Sequence, residues 1–231
     1  MMKDVLGQAL KDYQHGRREH KLYIHNMYGK KERMPLSIYF RSLRTISKLE
    51  YLALEACTGC ILDVGAAAGS HALLLQKKGL SVTAIDISPG AVEVMGQRGV
   101  QIIASGDIFS YKEKKFDTLL LLMNGIGLAG TIDGLQKLLT AFKKLLKPGG
   151  QVLFDSSDVA YLFTADNFPL QHYYGEVDYE YEYREQHSGW FKWLYVDKQT
   201  MQKVALKAGF AMKLMYEDEH DQYLARLVRI G

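Results

Sequence analysis

Small residues and acids recur in this sequence at spacings that suit nucleotide binding. The run Ile61–Ser70 reads ILDVGAAAGS, and between Gly65 and Gly69 no side chain is larger than a methyl group. Such a loop lets a ligand approach the backbone closely. The helical pattern that follows it offers free N–H groups with partial positive charge. The stretch therefore predicts a strand, a tight turn and a helix N-terminus that together form a nucleotide-binding corner.

Polar residues also follow the apolar runs further along the chain. Asp86 ends the run 81–86, where an acid can accept hydrogen bonds from both hydroxyls of a ribose. Asp107 follows a third run, Asn124 follows the nearly all-apolar run 116–123, and Asp155 ends a fifth. Because ligands bind at the carboxyl ends of strands in open α/β sheets, these residues are candidates for a shared site.

The spacing of Asp63, Gly65, Ala67 and Gly69 resembles the D/E-x-G-x-G-x-G loop of class I S-adenosylmethionine-dependent methyltransferases. Ala67 departs from this pattern, since it replaces the middle glycine. The run 147–150, KPGG, resembles the turn that precedes the fifth strand of that family. The resemblance covers residues 56–160 and resumes over 197–230.

The resemblance implies S-adenosylmethionine as cofactor and S-adenosylhomocysteine as product. It implies that the glycine loop shapes the methionine side, that Asp86 binds the ribose, and that Ile87 packs on the adenine. Tyr39 and Arg41 are candidates for the cofactor carboxylate or a substrate anion, as is Arg44. The residues expected at the cofactor are Asp63, Gly65, Ala66, Ala67, Gly69, Asp86, Ile87, Asp107, Ile108, Met123, Tyr39 and Arg41.

The implied fold is α/β, with a seven-stranded, mostly parallel, doubly wound sheet whose last strand is antiparallel. We expect a single domain over 1–231. It comprises an N-terminal helical cover (1–55), a Rossmann-like core (56–160 and 197–231) and an aromatic insertion (161–196). In the cover, helical spacing predicts one helix over 4–13 and a second that begins at Pro35. The polar segment 15–33 between them is a candidate lid.

Residues 176–183 alternate acids with apolar or aromatic side chains, which predicts a β-strand with one solvated face. Residues 186–189 are interpreted as its turn and 190–196 as the return strand, which gives an inserted β-hairpin. The aromatic side chains of the insertion suit either packing onto the domain or a cage for a cationic amine. Packing is the commoner use of such a stripe.

Candidate catalytic residues are Asn124, His172 and Asp155. An oxygen nucleophile generally needs a base, whereas an unprotonated nitrogen does not. Asn124 lacks the prolines and the aromatic residue of the D/N/S-P-P-Y/F motif, which argues against base methylation. We expect a small-molecule acceptor methylated at O, N or C. An RNA or protein methyltransferase, or a non-catalytic binder of S-adenosylmethionine, is the alternative; the loop spacing disfavours an NAD-dependent oxidoreductase.

Composition limits the partners. The net charge is +3, but residues 1–50 hold eleven Lys or Arg against five Asp or Glu. A solvated surface beside an anionic carboxylate is the preferred interpretation, and a nucleic-acid surface is the alternative. Cys57 and Cys60 form a C-x-x-C without a second pair of ligands, so no metal is expected. The sequence shows no long apolar run or export signal, so we expect a cytoplasmic monomer or homodimer without membrane contact.

Overall fold

The computed structural model describes residues 3–164 and 168–230. Residues 165–167 of the predicted aromatic stretch therefore lie outside the described residues. The described chain divides into two compact units, each built from separate stretches of sequence. The first unit comprises residues up to Ile46, Leu62–Tyr111 and Asp178–Phe191; the second comprises Ser47–Ile61, Lys112–Val177 and the chain from Lys192 onward.

A seven-stranded sheet confirms the predicted fold class. Its strands are β3 (Cys60–Val64), β4 (Ser81–Asp86), β5 (Ile102–Ser105), β6 (Phe116–Leu121), β7 (Leu146–Ser157), β11 (Phe210–Glu217) and β12 (Gln222–Arg229). Their order is β11-β12-β7-β6-β3-β4-β5. The pairs β4–β5 and β6–β7 are parallel, whereas β12 is antiparallel to both β7 and β11.

The helices are α1 (Val5–Gln14), α2 (Lys48–Ala56), α3 (Ser70–Lys77), α4 (Pro89–Arg98), α5 (Ile132–Leu145) and α6 (Lys198–Lys207). Several begin at a side chain that accepts from a first-turn N–H, as helix N-caps do. Ser88 accepts from Ala91 with Pro89 at the first helical position, and Asp197 accepts from Gln199 and Thr200. These side chains set the starts of α4 and α6.

The N-terminal segment contains two strands that the sequence analysis did not predict. The candidate lid forms β1 (Leu22–Asn26) and β2 (Glu32–Met34), which pair antiparallel. The helix predicted from Pro35 is also wrong: a short 3-10 helix covers Leu36–Phe40, and α2 begins only after Ser47. Ser47 and Glu50 form a capping box, and this local signal sets the start of α2.

The insertion forms the predicted strand β8 (Glu176–Tyr183), but its turn lies earlier than predicted. Arg184 and Glu185 make the turn with φ of 51° and 60°, and β9 (Gln186–His187) already pairs with β8. Positive φ at two successive residues is the geometry of a tight type I′ hairpin turn, which usually selects Asn or Gly. The strand β10 (Phe191–Leu194) completes a small sheet in the order β10-β8-β1-β2.

Each unit has its own core. In the first unit, α1 packs with β1, the 3-10 helix and α4 around Leu10, Leu22 and Val94, and Ala68 of the glycine loop belongs to the same cluster. In the second, β6, β7, β11 and β12 bury large side chains against α5 and α6. The largest of these are Phe116, Phe142, Phe154, Phe210 and Tyr223.

Candidate functional site

The glycine loop is an open turn whose backbone is hydrogen-bonded to the neighbouring strand. The N–H groups of Gly65 and Ala66 donate to the Ile85 carbonyl at 2.9 and 3.2 Å, so the loop is fixed to the end of β4. Gly65 has φ +70° and is exposed, and a Cβ built there meets no described atom within 4 Å. Ala67, the departure from the glycine pattern, has φ +47°, a strained value for a residue with a side chain. The loop thus presents bare backbone to a ligand.

Asp63 organises the start of the helix behind the loop. Gly69 is the N-cap of α3 and has no side chain to accept from the first turn. Asp63 on β3 supplies the acceptor instead, taking the N–H of Ala72 at 3.1 Å. Its carboxyl is 2% exposed, and this burial raises its pKa to about 6, although His71 and the Ala72 hydrogen bond oppose the rise. These contacts make Asp63 a structural organiser rather than a reacting group.

Asp86 lies at the carboxyl end of β4 beside the loop. Its carboxylate accepts from the N–H groups of Ala67 at 2.8 Å and Ser88 at 2.9 Å. Burial raises its pKa, the two N–H donors oppose that rise, and Asp4 adds to it. A carboxylate has about four acceptor positions, and Asp86 is partly exposed. It therefore keeps acceptor capacity for two vicinal hydroxyls.

The residues expected around adenine differ in exposure. Ile87 is 71% exposed directly after Asp86. Asp107 is exposed and accepts from the Phe109 N–H at 2.9 Å, while Ile108 is only 6% exposed. The Gly106 N–H donates to the Asp86 carbonyl at 3.0 Å, so these two strand ends are joined by a backbone hydrogen bond.

Tyr39 lies in the last turn of the 3-10 helix Leu36–Phe40, in the same unit as the loop. Its hydroxyl donates to the Met34 sulfur at 3.0 Å, and its carbonyl accepts from the Ser70 hydroxyl at 2.7 Å. Arg41 follows in extended backbone and is partly exposed. The structure therefore brings the segment 39–41 next to the start of α3.

In the second unit, a strained turn follows β6. Met123 and Asn124 both have positive φ, 61° and 54°, which is unusual for two successive residues other than glycine. The Asn124 N–H donates to both carboxylate oxygens of Asp155 at 3.0 Å. Its side chain donates to the Leu194 carbonyl at 3.2 Å and accepts from Ser156 at 3.0 Å. The turn is thus fixed by a buried network of hydrogen bonds.

Comparison with known proteins identifies the family. A family profile described as a methyltransferase domain matches residues 37–213. The structure of an S-adenosylmethionine-dependent methyltransferase from Bacteroides fragilis, in complex with S-adenosylhomocysteine, is 39% identical with a TM-score of 0.92. The alignment covers 99% of this chain and 96% of that chain. The chain belongs to the S-adenosylmethionine-dependent methyltransferases.

Other relatives of this methyltransferase share less with it. A demethylmenaquinone methyltransferase from Tropheryma whipplei (strain Twist) is 28% identical over 99 residues. That match covers 40% of this chain and 39% of the relative, so it spans less than half of either protein. An amino pentose methyltransferase from Micromonospora echinaspora is 15% identical with a TM-score of 0.58, over 80% of this chain and 93% of that one. This last likeness concerns the fold alone.

Two of the three candidate catalytic residues of this methyltransferase, Asn124 and Asp155, are hydrogen-bonded to each other. Asp155, 1% exposed, accepts from Asn124 and from the Gln222 side chain at 3.0 Å, and Asn124 is 8% exposed. Such saturated, buried groups hold a backbone turn in place and are poorly available to a substrate. His172 instead is exposed, with its Nδ1 hydrogen-bonded to the Tyr173 carbonyl at 3.0 Å.

The aromatic side chains of the insertion pack on one another and on carboxylates. Tyr173 donates to Asp197 at 2.6 Å, and Tyr174 donates to Asp158 at 2.8 Å. Their rings lie 4.6 Å apart, and Phe168 lies 5.3 Å from Tyr174. Burial raises the pKa of both tyrosines, so they remain protonated donors at neutral pH. The rings of Phe168, Tyr173 and Tyr174 thus pack on one another within the insertion.

Sequence reasoning missed two residues near the loop. One hydrogen-bonds to the start of α4 after Asp86, and the other hydrogen-bonds to the glycine loop itself. Asp4 caps α1 and also accepts from the Ser88 hydroxyl at 2.7 Å and the Gly90 N–H at 2.8 Å, directly after the Asp86 strand end. Arg98, at the end of α4, reaches the backbone of the glycine loop. Neither shows a signal in the sequence, because an acid at a helix start and a base at a helix end are ordinary capping choices.

Two features of the described residues concern metal binding and membrane spanning. Among residues 3–164 and 168–230, no group of three or more His, Cys, Asp or Glu is arranged to hold a metal ion. Within the same described ranges, no helix combines the length and the apolar character needed to span a bilayer.

Proposed function

We propose that the protein transfers the methyl group of S-adenosylmethionine to a small molecule with an O, N or C nucleophile. The family membership gives the reaction class. One relative is named a demethylmenaquinone methyltransferase, and this name supports a small-molecule acceptor.

The observation that carries the cofactor site is the corner formed by Gly65, Asp86 and Ile87. An exposed glycine with positive φ, a half-buried carboxylate with spare acceptor positions and an exposed aliphatic side chain lie on two strand ends joined by hydrogen bonds. They suit, in turn, the methionine part, the ribose and the adenine of the cofactor. Asp107 and Ile108 complete the adenine side, and Tyr39 and Arg41 bind the carboxylate.

The reaction needs alignment more than acid–base chemistry. A sulfonium supplies an electrophilic methyl group and leaves as a neutral thioether. Holding two reactants in line can supply roughly 7–11 kcal/mol of the barrier. On this proposal Asn124 and Asp155 position the turn after β6, which also carries Met123. His172 is the exposed imidazole left to act as a base on an oxygen acceptor.

The basic N-terminal residues do not favour an RNA substrate. Several are already paired within their own unit: Lys11 with Glu93 at 2.7 Å, Arg17 with Asp12 at 3.0 Å, and Lys31 with Glu182 at 2.8 Å. Paired cations contribute little to a phosphate-binding surface.

The free thiols of Cys57 and Cys60 fit a reducing compartment, which supports a cytoplasmic location.

Calorimetric titration with S-adenosylmethionine and S-adenosylhomocysteine tests the cofactor site. Asp86→Asn keeps the shape of the side chain but weakens it as a double acceptor, so we expect cofactor affinity to fall at least tenfold. Both carboxylate oxygens of Asp86 accept from backbone N–H groups, and an amide nitrogen cannot accept, so Asp86→Asn should also lower the melting temperature of the free protein.

Asp133→Asn is the matched control, because Asp133 is an exposed carboxylate in the first turn of α5. It should bind both ligands as the wild type does. Failure of the wild type to bind either ligand would refute the proposed function, and equal binding by Asp86→Asn would remove Asp86 from the site.

A further inference from the structure

We propose that Arg98 is a positioning residue for the cofactor, fastening the segment that carries Tyr39 and Arg41 to the glycine loop. This inference rests on the proposed function, since it assigns that segment to the methionine half of the cofactor. Arg98 itself need not touch the ligand.

The contacts of Arg98 join two separate stretches of backbone. Its Nη1 donates to the Ala68 carbonyl of the loop and to the Ser70 hydroxyl at 3.1 Å. The same nitrogen lies 3.5 Å from the Tyr39 carbonyl. Since Ser70 also donates to that carbonyl at 2.7 Å, the loop and the end of the 3-10 helix share one hydrogen-bonded cluster.

The rest of the guanidinium packs on the same segment. Its central carbon lies 4.8 Å from the centre of the Phe40 ring, within the range of a cation–π contact. Burial lowers the pKa of Arg98, which is the mark of a cation removed from water. The hydrogen bonds of this side chain come from one terminal nitrogen, whose two N–H donors suit Ala68 and Ser70, while Ser70 carries the link on to the Tyr39 carbonyl. A lysine ammonium offers donors with less directional control.

The end of α4 also supports the loop by shape. A Cβ on Gly69 would lie 2.7 Å from Val100 and 3.0 Å from Met95, so glycine is needed where the loop meets this helix. Arg98 stands between these two residues in sequence. Its hydrogen bonds therefore act at a contact whose spacing is already fixed by packing.

If Arg98 positions the segment 39–41, its loss should affect the methionine half of the cofactor and spare the adenosine half. 5′-Methylthioadenosine is the matched probe, because it keeps adenosine and the sulfur but lacks the amino-acid group. For Arg98→Met we expect the affinity for S-adenosylhomocysteine to fall at least tenfold, and that for 5′-methylthioadenosine to change less than twofold. Arg98→Lys should recover part of the loss.

Gln97→Met is the control, since Gln97 is exposed on the same helix and bonds Glu93. Hydrogen exchange supplies the second readout: protection of residues 38–41 should fall in Arg98→Met and persist in the control. Ser70→Ala removes the second link of the cluster and gives a milder variant, with a loss of about threefold for S-adenosylhomocysteine, if Arg98→Met does not fold.

The outcomes separate the two proposals. No binding of S-adenosylhomocysteine by the wild type would refute the proposed function. Wild-type binding with an equal loss of both probes in Arg98→Met, or with unchanged affinity and unchanged exchange, would overturn the positioning role of Arg98. Selective loss of S-adenosylhomocysteine with rescue by Arg98→Lys would establish it.

Discussion

At the scale of single residues, Asp63 accepts a hydrogen bond from the first turn of α3 in a buried position. Burial of its carboxylate there costs electrostatic free energy. The N-cap of that helix is a glycine, which is required by the close approach to Val100 and Met95. An acid from the preceding strand takes over the missing acceptor role, but it does so in a site almost closed to water. Its pKa of about 6 records the balance between the hydrogen bond it makes and the solvation it has lost.

This balance predicts an unusual pH dependence. The folded-state pKa of Asp63 lies above its unfolded value of 3.8, so the stability it contributes is fully present below pH 3.8 and is lost as pH rises through about 6. Asp63→Asn cannot ionise. Between pH 4 and 7 the free energy of unfolding of the wild type should therefore fall relative to Asp63→Asn by about 2 kcal/mol.

Urea denaturation of both proteins at several pH values measures this difference. Asp133→Asn, at an exposed site, should follow the wild type throughout. Parallel pH profiles for wild type and Asp63→Asn would show that the carboxyl ionises normally in the fold.

The sequence predicted Gly65, Asp86 and Ile87 because their chemistry is encoded in a short stretch at a fixed spacing. Arg98 and Asp4 were not predictable in the same way. Arg98 lies 30 residues from Ala68, and Asp4 lies 86 from Gly90, so their contacts exist only after the helices have packed. The candidate base His172 was chosen by residue type alone, and its exposure is set by the surrounding insertion.

At the scale of elements, α1 is held against α4 by contact between two glycines. A Cβ on Gly90 would lie 2.6 Å from the carbonyl carbon of Gly7, so the helices meet at their backbones. Asp4 adds hydrogen bonds at the same crossing. This crossing joins the N-terminal helix to α4, the helix that follows Asp86.

The crossing predicts opposite effects for two substitutions in one helix. Gly90→Ala must displace α1 and should destabilise the protein by about 1–3 kcal/mol. Gly96→Ala places its methyl group in ordinary contact, 3.8 Å from Ile103, and should stabilise by about 0.5–1 kcal/mol because alanine favours a helix. Thermal unfolding of the two variants tests this, and equal effects would contradict the close packing of α1.

Elements with strong local signals were predictable, and elements defined by partners were not. Ser88 and Asp197 are N-cap residues, and their residue types alone indicate where α4 and α6 begin. By contrast, β1 and β2 come from a polar stretch that forms strands only because β8 supplies a pairing edge. The hairpin turn at Arg184 and Glu185 lacks the usual Asn or Gly, and Arg184 is held instead by an ion pair to buried Asp12 at 2.8 Å.

At the scale of the whole molecule, each unit is assembled from stretches far apart in the chain. β12 illustrates this, since it pairs with β11 on one side and with β7 on the other. Leu224 is fully buried in this strand and lies opposite Tyr216 and Asp155. The strand nearest the end of the sequence is thus an interior strand of its sheet.

An interior strand does not tolerate proline. Leu224→Pro removes a backbone donor from the sheet and should lower the free energy of unfolding by more than about 3 kcal/mol. Glu219→Ala, in the exposed turn before β12, should change it by less than about 0.5 kcal/mol. Urea unfolding compares the two, and a small effect of Leu224→Pro would mean that β12 is not paired on both sides.

The place of β12 also bears on how the protein is made. During synthesis every other strand leaves the ribosome before β12, so β7 has an open edge until residues 222–229 emerge. Open edges of sheets invite pairing with other chains, and incompletely folded chains are prone to aggregate. A nascent chain of this protein is therefore most vulnerable before residues 222–229 emerge, when chaperones that shield exposed strand edges would protect it best.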